Sequence, residues 1–231
     1  MKPEIIVALD VAHPSEMLSA LDRLPADLKW GKVGLELFCA RGPDVLIPLK
    51  NKGKSIFLDL KLHDIPRTVE KAVASVLPHE VQLLTIHASG GRAMLQAAAE
   101  MAKTSSKENP LRLLAVTVLT SLDAGDLGAI GVYRSPQDQA VALAALAYSC
   151  GIDGVVCSLH EASAIRKELG PNALIVTPGI RMPGAATADQ KRTGTPREAM
   201  AAGATHLVVG RPILQAPDPE VAFRAMMSDM D

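Results

Sequence analysis

The chain has 231 residues, of which 48% are hydrophobic, 21% charged and 3% aromatic, with 24 basic and 25 acidic side chains and a net charge of −1. This is the composition of an ordinary globular protein, long enough for one large barrel-type domain. The even charge balance and scarce aromatics exclude a basic nucleic-acid groove, a base-stacking platform and charge-driven attachment to an anionic membrane.

Elements follow from the apolar runs and their punctuation, taken in chain order. A run at 5–9 ends in Asp10, and Pro14, Ser15 and Glu16 then begin an Ala/Leu helical pattern. Residues 30–37 form a second run carrying Lys32, and residues 56–62 a third carrying Asp59 and Lys61. A helical stretch at 65–77 breaks at Pro78, and a fourth run at 83–88 leads to an Ala-rich helix at 91–103. The fifth run, 113–119, meets Thr120 and Ser121 and is followed by a helix at 137–148. The sixth, 154–157, precedes a helix at 160–169 that Gly170 ends. The seventh, 174–177, runs into Pro178, Gly179, Ile180 and Arg181. A helix at 196–202, ended by Gly203, leads to the eighth run at 207–210, which meets Arg211; a last helix covers 218–230.

Near-continuous apolar strands alternating with helices read as a parallel sheet covered on both faces. Eight units of about 25–30 residues predict an α/β fold, a (β/α)8 TIM barrel forming a single domain over 1–231. The open doubly wound alternative usually carries an early GxGxxG, and none follows the first strand. Cys39, Cys150 and Cys157 are odd in number and widely spaced, which suits a reducing cytosol better than a disulfide framework or a zinc site. Glu4 interrupts any signal-like start, and no apolar run approaches the roughly 20 residues of a membrane helix. We therefore expect a cytoplasmic protein.

Barrel active sites sit at the carboxyl ends of the strands, and there the polar residues gather. In FLDLKLHDIP, residues 57–66, side chains alternate with period two. Phe57, Asp59 and Lys61 should therefore face the barrel interior, and Leu58, Leu60 and Leu62 the helices. Asp64 lies past the strand, where it could cap the next helix. Buried charges are costly unless paired, so several charges converging at strand ends point to a site rather than to one structural ion pair. At the other end, Gly179 and Gly210 allow close backbone approach and Arg181 and Arg211 offer charged forks, so phosphate is the ligand these loops fit. The stretch 181–192, with Pro183, Gly184 and Gln190, reads as a mobile lid over it.

Asp59-x-Lys61-x-x-Asp64 after an apolar strand, ALD at Asp10, KVG at Lys32, TVLTS at Thr120, TPGIR at Arg181, DQ at Gln190 and VVGRPI at Arg211 together resemble the orotidine 5'-phosphate decarboxylase family along the whole chain. Arg67 departs from the pattern, in which Asn is expected. The resemblance implies conversion of orotidine 5'-phosphate to uridine 5'-phosphate (UMP) and carbon dioxide, the last step of de novo UMP synthesis. It implies no metal and no organic cofactor, and a homodimer with active sites at the subunit interface. By the match, Lys61 gives a proton to ring carbon six and Asp59 faces the substrate carboxylate. Lys32, Asp59, Lys61 and Asp64 from the partner subunit form a charged array, and Ile65 and Thr68 accompany Asp64. Asp10 and Lys32 meet the ribose, Thr120 and Ser121 the pyrimidine, and Pro178 shapes the pocket. Arg181, Gln190, Gly210 and Arg211 hold the phosphate.

Blander readings apply elsewhere. His63 and His87 read as hydrogen-bonding neighbours, and Cys150 and Cys157 as buried fillers. The rival enzyme is a magnesium-dependent sugar-phosphate decarboxylase or synthase sharing the Asp-x-Lys-x-x-Asp signature; an ammonium at Lys32 would compete with its cation. The rival outside enzymology is a phosphate-ligand sensor or scaffold, for which so costly a charge cluster has no use.

Overall fold

In a computed structural model describing residues 2–183 and 193–231, eight parallel strands close into a barrel in chain order. They are β1 (Glu4–Ala8), β2 (Trp30–Gly34), β3 (Ser55–Leu62), β4 (Leu83–His87), β5 (Arg112–Val116), β6 (Gly154–Val156), β7 (Leu174–Thr177) and β8 (His206–Val209). β1 pairs with β2 on one side and β8 on the other, which removes every sheet edge. Helices lie between successive strands, so the predicted TIM barrel is the observed fold.

Alternation along the strands divides the core into two layers. Ile6, Trp30, Phe57, Leu83, Leu114 and Val176 meet inside the barrel. Their strand neighbours, such as Val7, Val33, Leu58, Leu84 and Leu113, point outward into the larger layer packed under the helices. Such two-sided burial explains why the strands read as continuous apolar runs. No helix among the described residues is long and apolar enough to cross a membrane.

Several boundaries differ from the sequence expectation. The second run stops at Gly34, and Leu35–Arg41 is a helix with Leu37 buried and the acidic Glu36 in its first turn, a placement that suits the helix dipole. The fifth strand ends at Val116 rather than 119. Short helices at Ile47–Asn51, Ala124–Ala129 and Arg211–Leu214 were not anticipated. At about one turn each, they are too short to show a periodic face. Asp64 does not cap the helix Pro66–Val76: Ile65 holds the N-cap position, and the Asp64 carboxylate accepts the Ile65 N–H at 2.7 Å instead.

Candidate active site

Register brings the charges together. Ala8 pairs with Lys32, Lys32 with Phe57, and Gly34 with Asp59, so β1, β2 and β3 deliver their polar ends to one corner of the barrel mouth. Lys32 Nζ lies 2.7 Å from Asp10 Oδ1 and 3.5 Å from Asp59 Oδ2. Lys61 Nζ donates to both Asp59 oxygens, at 2.9 and 2.8 Å. Lys32 is buried, at 6% exposure, whereas the Lys61 side chain is 30% exposed towards the mouth. Gly34 leaves room for the pair below it: a Cβ there would stand 3.0 Å from Asp10 Oδ1 and 3.1 Å from Lys32 Nζ.

Burial is the largest single influence on Asp59 and by itself would raise its carboxyl pKa. The Lys32 and Lys61 ammonium groups, with hydrogen bonds from Lys61 and Thr85, outweigh it together and hold the carboxyl below its ordinary range. Asp59 is therefore a fixed negative charge between two ammonium groups.

Phe57 and Asp59 face the barrel interior as strand alternation predicts, but β3 is not regular beyond them. Between Leu58 and Leu62 it advances four residues while β4 advances two, from Leu84 to Ile86. Lys61 has φ +51°, a left-handed conformation rare for a side chain of this kind. Its N–H finds Thr85 Oγ1 at 2.8 Å, and that hydroxyl donates to Asp59 Oδ1 at 2.9 Å. The sequence reading missed Thr85. The available signal was a polar residue of inward parity within the apolar part of β4, one strand along from Asp59.

A cavity of about 1000 Å³ joins this cluster to the ends of β5–β8. Asp10, Lys32, Asp59 and Lys61 line one side, and Thr120, Pro178, Arg181, Gly210 and Arg211 the other. Val116, Val118 and Val156 form an apolar wall between them. Such a cavity, with an apolar lining on which a few charged and polar groups converge, is the usual form of a small-molecule site. Gly179, at φ +82°, turns the chain out of β7. Its carbonyl accepts the Gly194 N–H at 3.2 Å, and Gly194 in turn accepts the Arg181 N–H at 2.9 Å. This clasp places Arg181, only 8% exposed, at the cavity.

Other expected site residues stand apart. Ser121 is exposed and does not line the cavity, and Gln190 falls outside the described residues, as does most of the stretch read as a lid. Asp64, Ile65 and Thr68 are exposed and also lie outside their own chain's cavity. Arg67 Nη1 bonds both carboxylate oxygens of Glu70, at 3.1 Å, on its own helix. The His63 and His87 rings face each other with centroids 5.3 Å apart. Cys150 and Cys157 are buried as expected. Among the described residues, no group of three or more His, Cys, Asp or Glu side chains is placed to hold a metal ion.

Known proteins share this arrangement of fold and sequence. An orotidine 5'-phosphate decarboxylase from Vibrio cholerae (strain O395) is 45% identical over 228 residues, covering 99% of this chain and 98% of its own. The orotidine 5'-phosphate decarboxylase of Photobacterium profundum is 45% identical over 223 residues, 96% of each chain. Among solved structures, that of the orotidine 5'-phosphate decarboxylase from Lactobacillus acidophilus superposes with a TM-score of 0.87 at 35% identity, covering 99% of both chains. The profile of the orotidine 5'-phosphate decarboxylase / HUMPS family matches residues 3–226. With a closed eight-stranded barrel and a match running from the first strand to the last helix, the chain belongs to the orotidine 5'-phosphate decarboxylase / HUMPS family.

Proposed function

We propose that the chain converts orotidine 5'-phosphate to uridine 5'-phosphate and carbon dioxide, the last step of de novo UMP synthesis, in the cytoplasm and by electrostatics alone. The observation that carries this reading is the alternating array Asp10–Lys32–Asp59–Lys61, with successive contacts of 2.7, 3.5 and 2.8 Å at the wall of the cavity. The names of the curated relatives agree with it.

The roles follow from the chemistry. Gly210, Arg211 and Arg181, with Gln190, take the phosphate. Asp10 and Lys32 take the ribose, and Thr120, Ser121 and Pro178 border the pyrimidine. The substrate carboxylate then faces Asp59. When the bond from ring carbon six to the carboxylate breaks, its electron pair stays on that carbon, in an orbital that cannot delocalise into the ring π system. Lys61 stabilises the growing negative charge and delivers an Nζ proton to the same carbon, leaving a neutral amine as carbon dioxide departs. Because the charge grows as the bond breaks, this attraction is stronger in the transition state than in the ground state, which is the condition for catalysis. A unit pair at about 4 Å and an effective dielectric near 20 interacts by about 4 kcal/mol before desolvation, enough to hold the array fixed.

Asp64, Ile65 and Thr68 are assigned to the active site of a second copy of the chain. Their exposure supports this, Ile65 being 66% exposed, as does their absence from the lining of their own chain's cavity. A magnesium-dependent synthase of the same family is the competing reading. Lys32 weighs against it, since its ammonium already occupies the space between the Asp10 and Asp59 carboxylates where a cation would bind. The test is ultraviolet absorbance of orotidine 5'-phosphate with purified protein and a chelator. Steady loss of absorbance is expected. No loss, or loss that the chelator stops, would overturn the proposal.

A further inference from the structure

Thr85 is fully buried on β4, between the inward-facing Leu83 below it and His87 above. Its neighbour β3 is irregular just here, so the Lys61 N–H, which a regular ladder would give to a backbone carbonyl, turns to the Thr85 hydroxyl at 2.8 Å. A threonine hydroxyl has one hydrogen and free lone pairs. With a lone pair engaged by Lys61, its hydrogen points to Asp59 Oδ1 at 2.9 Å, an ionised carboxylate that can only accept. One oxygen atom thus bonds the backbone of the residue proposed to donate the proton and the side chain of the carboxylate beside it. The β-branched side chain has few rotamers, so the strand fixes where that oxygen stands. Lys61 at φ +51° needs such a partner, because a strained backbone persists only where its surroundings hold it.

We propose that Thr85 is a positioning residue for decarboxylation: its hydroxyl locks the Lys61 backbone to the Asp59 carboxylate, so that ammonium and carboxylate are set before substrate arrives. The proposal rests on the reading of the site as a decarboxylase. It extends that reading to a residue outside the charged motif and outside the cavity wall. Asp59 is faced by Lys32 from β2, and through it Asp10 from β1, by Lys61 on its own strand and by His87 from β4. Thr85 adds the neutral hydrogen bond that favours its ionised form. Removing that bond lets the Asp59 pKa rise, which moves the acid limb of the rate profile to higher pH.

The experiment compares Thr85→Val, which removes the hydroxyl at nearly constant volume, with Thr85→Ser, which keeps it. Steady-state kinetics across pH, UMP affinity, thermal unfolding and exchange of the Lys61 amide hydrogen are measured for both. For T85V, kcat should fall about 10- to 100-fold, the cost of leaving buried polar groups unpaired, with KM and UMP affinity within about threefold of the parent. Its acid limb should move up in pH and its Lys61 amide should exchange faster. T85S should stay within about threefold of the parent in every readout. The proposal is wrong if T85V keeps its kcat, if T85S loses as much as T85V, or if kcat, UMP affinity and unfolding temperature fall together. Should T85V fail to fold, T85A against T85S gives the same comparison. A parent protein without decarboxylase activity would sink the functional reading instead, and amide exchange at Lys61 would still decide whether Thr85 locks that backbone.

Discussion

Lys61 and Lys32 share a carboxylate yet have different surroundings. Lys32 is buried between Asp10 and Asp59, while Lys61 reaches the more open side of the cavity. Lys61→Ala should therefore leave a folded protein whose kcat falls about a thousandfold or more, the scale of losing a placed proton donor. Substantial residual decarboxylation in single-turnover kinetics would remove Lys61 from that role. Arg211→Ala should act differently, raising KM about 10- to 100-fold, as expected for a lost charge-assisted bond to phosphate, with a smaller effect on the bound reaction. Steady-state and single-turnover rates that both match the parent would take Arg211 out of the phosphate site. Gly34 makes a third case. An added methyl would press on Asp10 Oδ1 and Lys32 Nζ, at 3.0 and 3.1 Å, and these side chains must give by a few tenths of an ångström. Gly34→Ala should lower kcat/KM about tenfold, a typical cost of overpacking, without a matching drop in unfolding temperature.

At the scale of elements, the two ends of the barrel divide the work. At the floor, β1, β2 and β8 bring Glu4, Trp30 and His206 together: Trp30 Nε1–H donates to Glu4, and the Trp30 and His206 rings meet edge-on at 5.4 Å. Burial is the main cause of a His206 pKa pushed down from 6.5 to about 4, with Glu4 opposing and Arg112 assisting. The unfolded chain takes this proton near pH 6.5 and the folded chain does not until about pH 4. The stabilisation is therefore complete above pH 6.5 and is lost as pH falls towards 4, on the order of 3 kcal/mol. His206→Gln should flatten the pH dependence of denaturant unfolding across that window. An unchanged slope would mean that His206 does not set it.

The strands themselves were legible because burial on both faces writes them as apolar runs, and Pro and Gly mark the helix starts and stops between them. The short helices at Leu35–Arg41 and Arg211–Leu214 were hidden because an apolar stretch of a few residues reads equally well as strand. Asp59 was legible from parity, since strand alternation held that far; Lys61 reaches the same cavity although the strand is irregular around it. The left-handed turn at Lys61 and the Thr85 hydroxyl were not legible, because register between two strands is a tertiary property that neither strand records alone.

At the scale of the molecule, the barrel holds Asp10, Lys32, Asp59 and Lys61 at its mouth, while Asp64, proposed to serve a second copy, lies exposed beyond the end of β3. Asp64, Ile65 and Thr68 stand exposed and do not line their own chain's cavity, with the apolar side chain of Ile65 turned to solvent among them. Association of two copies through this surface would bury Ile65 and give each cavity a carboxylate from its neighbour. Symmetry would make the exchange mutual. Arg67 is held by Glu70 on its own helix, which keeps its charge occupied within that helix. The proposed decarboxylation requires Lys61 from one chain and Asp64 from another. Mixing the nearly inactive variants Lys61→Ala and Asp64→Ala, after dissociation and reassembly, tests it most directly. Half of the randomly paired dimers are hybrids with one intact site each, so about a quarter of the parental turnover of orotidine 5'-phosphate should return. Turnover that stays at the level of the two variants alone would rule out a site shared between two chains.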